Sequence, residues 1–181
     1  MNGEQSSRDA LRHGSCTVGV ISDTHGWLRA EAVELLRGVD RILHAGDVGD
    51  LAILAELESL APVTAVWGNM DDAEIRQRTA EVAEGDLHGL SFAMIHGHQI
   101  LPPYDRLEGR FPTARLVVFG HSHLPFRRAV GDVLLVNPGS AGPRRPGKPV
   151  SLAMLRIFDR GSIELRHLDL VSGRELRVPG A

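Results

Sequence analysis

The chain has 181 residues, about one domain's worth and long enough to bury a core without covalent staples. Apolar residues make up 43% and charged residues 24%, which excludes disorder, collagen-like repeats and coiled coil. A single cysteine, Cys16, excludes an intramolecular disulfide and a cysteine-based zinc site, and a net charge of -3 gives no support to wholesale binding of nucleic acid or an anionic membrane.

Residues 1–15 are polar and mixed in charge, without the apolar stretch of a signal peptide. No apolar run approaches the roughly 20 residues that span a bilayer. The expected compartment is the cytoplasm, with neither membrane nor nucleic acid as a partner. The expected division is an N-terminal tail over 1–15, a single domain over 16–173 and a C-terminal tail over 174–181.

Short apolar runs predict strands at Val18–Ser22, Arg41–Ala45 and Val63–Trp67, with helical spacing at Ala30–Leu36 and Leu51–Leu60 between them. Gly38 and Pro62 stop those helices. This alternation implies parallel pairing in the first half. Further strands are expected at Ser91–Ile95 and Leu116–Phe119, with a small hairpin around Gly85–Gly89. Val133–Val136, Ser151–Phe158 and Ser162–Leu170 leave little room for helices and should pair mostly antiparallel, with a turn at Phe158–Ser162. The expected fold is α/β, a two-sheet sandwich with helices outside. Cys16 reads as structural, and Pro102-Pro103-Tyr104 as a loop with an exposed aromatic.

Nine histidines stand against one Tyr and two Trp, which raises the question of a metal site made of N and O ligands. Five strands in order end in Asp23-Thr24-His25, Gly46-Asp47-Val48-Gly49-Asp50, Gly68-Asn69-Met70-Asp71, His96-Gly97-His98 and Gly120-His121-Ser122-His123. Carboxyl ends of parallel strands line a common crevice. Asp23 and His25, like His121 and His123, stand two apart and in extended chain would project to the same side. Each residue alone is a common turn former; the ordered set is not. Asp23, His25, Asp47, Asn69, His96, His121 and His123 exceed one four-coordinate zinc site and suit two adjacent divalent metals. Mixed imidazole, carboxylate and amide donors suit Mn, Fe, Zn or Ni, with Mn the first expectation.

These ordered motifs resemble the calcineurin-like metallophosphoesterase superfamily over roughly residues 18–163. The small size, Ile95-His-Gly-His-Gln99 and Asn137-Pro-Gly-Ser140 resemble its small phosphodiesterase subgroup, which also includes the retromer subunit of the same fold. The resemblance implies a four-layer α-β-β-α sandwich. It implies a first metal on Asp23, His25, Asp47 and His123, with Asp47 bridging to a second on Asn69, His96 and His121. It further implies a metal-bridging hydroxide attacking phosphorus in a small phosphodiester, and often a dimer or tetramer. A phosphomonoesterase or nucleotide phosphatase on the same metals, or a non-catalytic scaffold like the retromer subunit, are the alternatives.

Many relatives carry a histidine after the Gly-Asn pair as leaving-group acid. Here Met70 stands there and cannot donate a useful proton. His98 is the candidate replacement, directly or through water. Asp50 reads as a helix N-terminal residue or a partner of a ligand histidine, and Asp71 as a ligand partner or a turn residue. Asn137 and Ser140 are expected near the substrate by resemblance. His44 reads as a satisfied core histidine, and His13, His88 and His167 as tail, hairpin and surface residues. Arg144, Arg145 and Lys148 read as a solvated Gly/Pro-rich loop in preference to a phosphate contact.

Overall fold

The computed structural model describes residues 14–100 and 106–178; His13 and Pro102-Pro103-Tyr104 lie outside them. In chain order the elements are β1 (Ser15–Ile21), α1 (Ala30–Leu36), β2 (Arg41–His44), α2 (Leu51–Glu58), β3 (Val63–Ala65), α3 (Ala73–Arg78), β4 (Val82–Leu87), β5 (Leu90–Ile95), β6 (Leu116–Phe119), β7 (Pro125–Val130), β8 (Val133–Pro138), β9 (Ser151–Phe158) and β10 (Ile163–Asp169). Two five-stranded mixed sheets form, in the orders β10-β9-β1-β2-β3 and β4-β5-β6-β8-β7. In the first, β1, β2 and β3 run parallel, and β9 adds antiparallel to β1 and β10. In the second, β5, β6 and β8 run parallel, with β4 and β7 antiparallel at the edges.

The runs of β1 and β2 are continuously apolar because both faces of the first sheet are covered. Val18, Val20 and Leu43 meet the second sheet through Leu90, Met94, Leu116 and Val118. Ile21 and Ile42 point the other way, onto Leu36 of α1, Leu54 and Leu57 of α2 and Ile75 of α3. Gly19 is needed on that outer face, where an added Cβ would collide with Leu36. The far face of the second sheet is capped by Leu107, Phe111 and Ala114, around a 3-10 turn at Glu108–Arg110. No helix among the described residues is long and apolar enough to cross a membrane.

Differences from the sequence expectation have local causes. α3 was not anticipated: Ile75 is its one buried residue, so it has no apolar stripe, and the Asp72 side chain starts it by accepting from Glu74 N and Ile75 N. β7 was also missed because it is an edge strand with Arg127 and Arg128 exposed. His167 is not a surface residue. It is 2% exposed, and its Nε2 pairs with the Asn137 carbonyl at 2.8 Å. Leu176 N in turn donates to the His167 carbonyl, so the chain beyond β10 packs back along that strand.

Candidate metal centre

The loops that leave β1, β2 and β3 meet the loops that leave β5 and β6 at one end of the sandwich. Asp23 N donates to Gly46 O and His25 N to Asp47 O, which ties the first two loops together. His121 N donates to Asp23 Oδ2 and Asn137 Nδ2 to Gly120 O, which ties the β6 loop to β1 and β8. Asp23, His25, Asp47, His121 and His123 all hold positive φ, between 49° and 67°. The backbone at both pairs is therefore not extended: Asp23 and His25 still converge, but His121 and His123 part. The left-handed turn sends His123 to His25 and His121 to His96, whose rings lie 5.0 and 5.3 Å apart respectively. Left-handed backbone at five non-glycine residues of one site is a cost the surrounding structure imposes.

Donor atoms converge in two groups that share Asp23. One is Asp23, His25 and His123; the other is Asp23, Asp47 and His96. His25 Nε2 and His123 Nε2 face each other at 3.2 Å, and Asp23 Oδ1 lies 3.1 Å from His123 Nε2 and 3.9 Å from His25 Nε2. Asp47 Oδ2 stands 3.9 Å from His25 Nε2 and 3.4 Å from His96 Nε2. Its other oxygen is occupied by the Met70 N–H at 2.9 Å. Asp23 Oδ1 and His96 Nε2 are buried without an aligned hydrogen-bond partner. Buried polar atoms left unpaired are costly, and a shared cation is the economical partner for converging carboxylate and imidazole atoms. The residues therefore fit a divalent metal.

Electrostatics agree with that fit. Burial would push the Asp47 carboxyl up, but the His96 imidazole and the Met70 N–H outweigh it and hold the carboxyl at about 2. Burial lowers His25, His98 and His121, so these rings favour the neutral form that ligates metal. Burial works against a charge on His96 too, but the adjoining Asp47 and Asp23 carboxylates win and raise it. His96 Nδ1 lies 2.7 Å from the Ala45 carbonyl, which orients Nε2 toward Asp47.

The remaining candidates surround these groups. His121 is exposed beside His96, and exposed Asn69 follows Gly68 on the loop whose Met70 N–H holds Asp47. His98 sits between Trp67 and His121, with ring centroids 5.6 and 6.3 Å away. Asp50 is a helix cap, accepting from Ala52 N at the start of α2. Ser140 Oγ donates to the Asp23 carbonyl and Asn137 Nδ2 to the Gly120 carbonyl, so both fix backbone beside the converging donors. His44 is buried and fully paired: Gly46 N donates to its Nδ1, its Nε2 donates to Thr24 Oγ1, and Thr24 Oγ1 donates to Val48 O.

Asp71 is a clamp. It is 3% exposed, and it accepts from Gly49 N and Gly68 N, both at 2.8 Å, bridging the β2 and β3 loops. Asp71→Ala is expected to cost about 3 kcal/mol in urea denaturation, since two charged hydrogen bonds are lost. A cost below about 0.5 kcal/mol, the level of an ordinary surface change, would refute the clamp. Gly68 is required for a different reason: an added Cβ would collide with the Asp47 side chain and backbone nitrogen. Gly68→Ala is expected to weaken metal binding about 10- to 100-fold in calorimetric titration, because the methyl group would displace the Asp47 carboxylate from the donor cluster.

A two-sheet α/β sandwich with a buried carboxylate–imidazole cluster at the strand ends makes a candidate metalloenzyme. Residues 17–160 match the calcineurin-like phosphoesterase superfamily domain. A probable metallophosphoesterase of Methanocaldococcus jannaschii is 40% identical over 157 residues, which are 81% of this chain and 79% of that protein. A phosphodiesterase of the same organism is 28% identical over 170 residues, covering 84% and 98%. The solved structure of vacuolar protein sorting 29 from Cryptosporidium parvum superposes with a TM-score of 0.78 at 22% identity over 90% of this chain and 95% of that one, a likeness of fold. The chain belongs to the calcineurin-like phosphoesterase superfamily and is a metallophosphoesterase.

Proposed function

We propose that the chain hydrolyses a small phosphodiester with two divalent metals. The observation that carries this reading is the position of Asp47, with Oδ2 facing both His25 and His96 while Oδ1 is held by Met70 N. Asp23, His25, Asp47 and His123 would hold one metal, and Asp47, Asn69, His96 and His121 the other. Such metals, Mn before Fe, Zn or Ni, supply Lewis acidity and a hydroxide near neutral pH.

The chain's own residues do the rest. Ser140 and Asn137 fix the backbone of the β1 and β6 loops, so the donors are aligned before substrate arrives. His98 borders the reacting region, and burial together with the neighbouring His96 disfavours a proton on its ring. A neutral imidazole is a weak acid, and Met70 offers no proton. Good turnover is therefore expected where the leaving group is stable without strong acid help, as in an aryl or other low-pKa ester, with His98 the candidate donor elsewhere.

Chromogenic diester and monoester hydrolysis should be compared with Mn and after chelation. Metal-dependent diester turnover is the expected result. A monoester preference would favour a phosphatase. Stoichiometric metal with no turnover of either would favour a scaffold, a reading that the exposed Met70 at the acid position supports.

A further inference from the structure

The segment from Gly142 to Pro149 carries Arg144, Arg145 and Lys148, and in the structure it crosses the metal-donor cluster. Its root is stitched to the β1 loop. Ala141 N donates to Ser22 O, Arg29 Nε donates to Gly142 O, and a Cβ on Gly142 would collide with the Asp23 and Thr24 carbonyls. Its far end is tied to the β6 loop, where Lys148 Nζ donates to the carbonyl of Ser122, the residue between His121 and His123. Lys148 N closes a turn onto the Arg145 carbonyl. The segment is thus fixed at both ends across the site, and Arg145 stands at its middle with Nη2 3.4 Å from His25 Nε2.

A guanidinium only donates, so that contact requires a lone pair on His25 Nε2. That lone pair is the one the His25–His123–Asp23 group would give to a metal. With that lone pair given to a metal, the guanidinium would be without its His25 partner, leaving a forked donor on a segment tethered at both sides of the site. A fork of N–H groups matches two oxygens of a tetrahedral phosphoryl group.

We propose that Arg145 grips the non-bridging oxygens of the scissile phosphoryl group and positions it for attack. This rests on the two-metal reading. It assigns Arg145 alone among the three cations to the reacting phosphorus: Lys148 is committed to Ser122 O, and Arg144 makes no such contact with His25.

The test titrates inorganic phosphate into the Mn-loaded protein by calorimetry and measures chromogenic diester kinetics in parallel. Arg145→Met should weaken phosphate binding and lower kcat/KM each by about tenfold or more, with Mn stoichiometry unchanged. Arg145→Lys, which keeps the charge and loses the fork, should fall between. Arg144→Met should stay within about twofold of the wild-type chain, as an exposed charge change does. Unchanged phosphate affinity in Arg145→Met, with metal and turnover intact, overturns the proposal alone. Equal losses in the Arg144 and Arg145 variants also overturn it, by pointing to a general field. A wild-type chain that takes up no Mn overturns the two-metal reading and the proposal with it.

Discussion

Asp47→Asn is expected to reduce metal-dependent hydrolysis by more than about a hundredfold while the sandwich stays folded. The amide is the same size as the carboxylate, so its oxygen can still accept from Met70 N. What disappears is the charged oxygen that faces His25 and His96 together. A ligand that binds only the native state stabilises it by about 2.7 kcal/mol at a hundred times its dissociation constant. The wild-type chain should therefore gain several degrees in Tm on adding Mn, and Asp47→Asn should gain little. Thermal denaturation with and without metal, beside the diester assay, measures both. Full metal stabilisation in the variant would show that Asp47 holds no metal.

The second large effect is on acid stability. Burial pushes His44 down to about 4, against an ordinary histidine value of about 6.5. Its ring accepts from Gly46 N and cannot take a proton at Nδ1 without losing that bond. Below pH 6.5 the unfolded chain binds a proton that the native chain does not, so stability falls as pH falls and levels off near pH 4. The His44 contribution to that fall is about 3 kcal/mol. Urea midpoints in chelator at pH 7 and pH 4.5 should differ clearly for the wild-type chain. His44→Gln should be weaker at pH 7, since Gly46 N loses its acceptor, but should show a flatter pH dependence. An unchanged slope would mean that other buried groups, among them His167, carry the acid sensitivity.

The first half of the fold was legible because β1, β2 and the two helices between the first three strands have apolar runs and turn residues that agree with one another. The strand ends were legible as a set because Asp, Asn and His recur there in order. What the sequence does not carry is the backbone geometry between those ends. Nothing in Asp23-Thr24-His25 announces that two of its residues are left-handed, and period-two reasoning then misplaces His121 and His123 relative to each other. The clamp formed by Asp71 was open between two readings because its partners, Gly49 and Gly68, lie on different loops. His167 could have been found: it stands on the same face of β10 as Ile163 and Leu165, which pack into the core. The loop of Arg145 reads as solvated by composition, and only its two tethers bring it over the site.

Both donor groups mix the two sheets: Asp23, His25 and Asp47 follow strands of the first, His96 and His123 strands of the second. Asp23 and His123 are a hundred residues apart in the chain, so their meeting waits on closure of a long loop. A refolding molecule therefore cannot complete either group before the sheets have docked, and metal capture becomes a clock for that docking. Stopped-flow uptake of Mn should lag behind strand formation seen by circular dichroism. A chain halted before residue 96 would have neither group, however well its first sheet had formed.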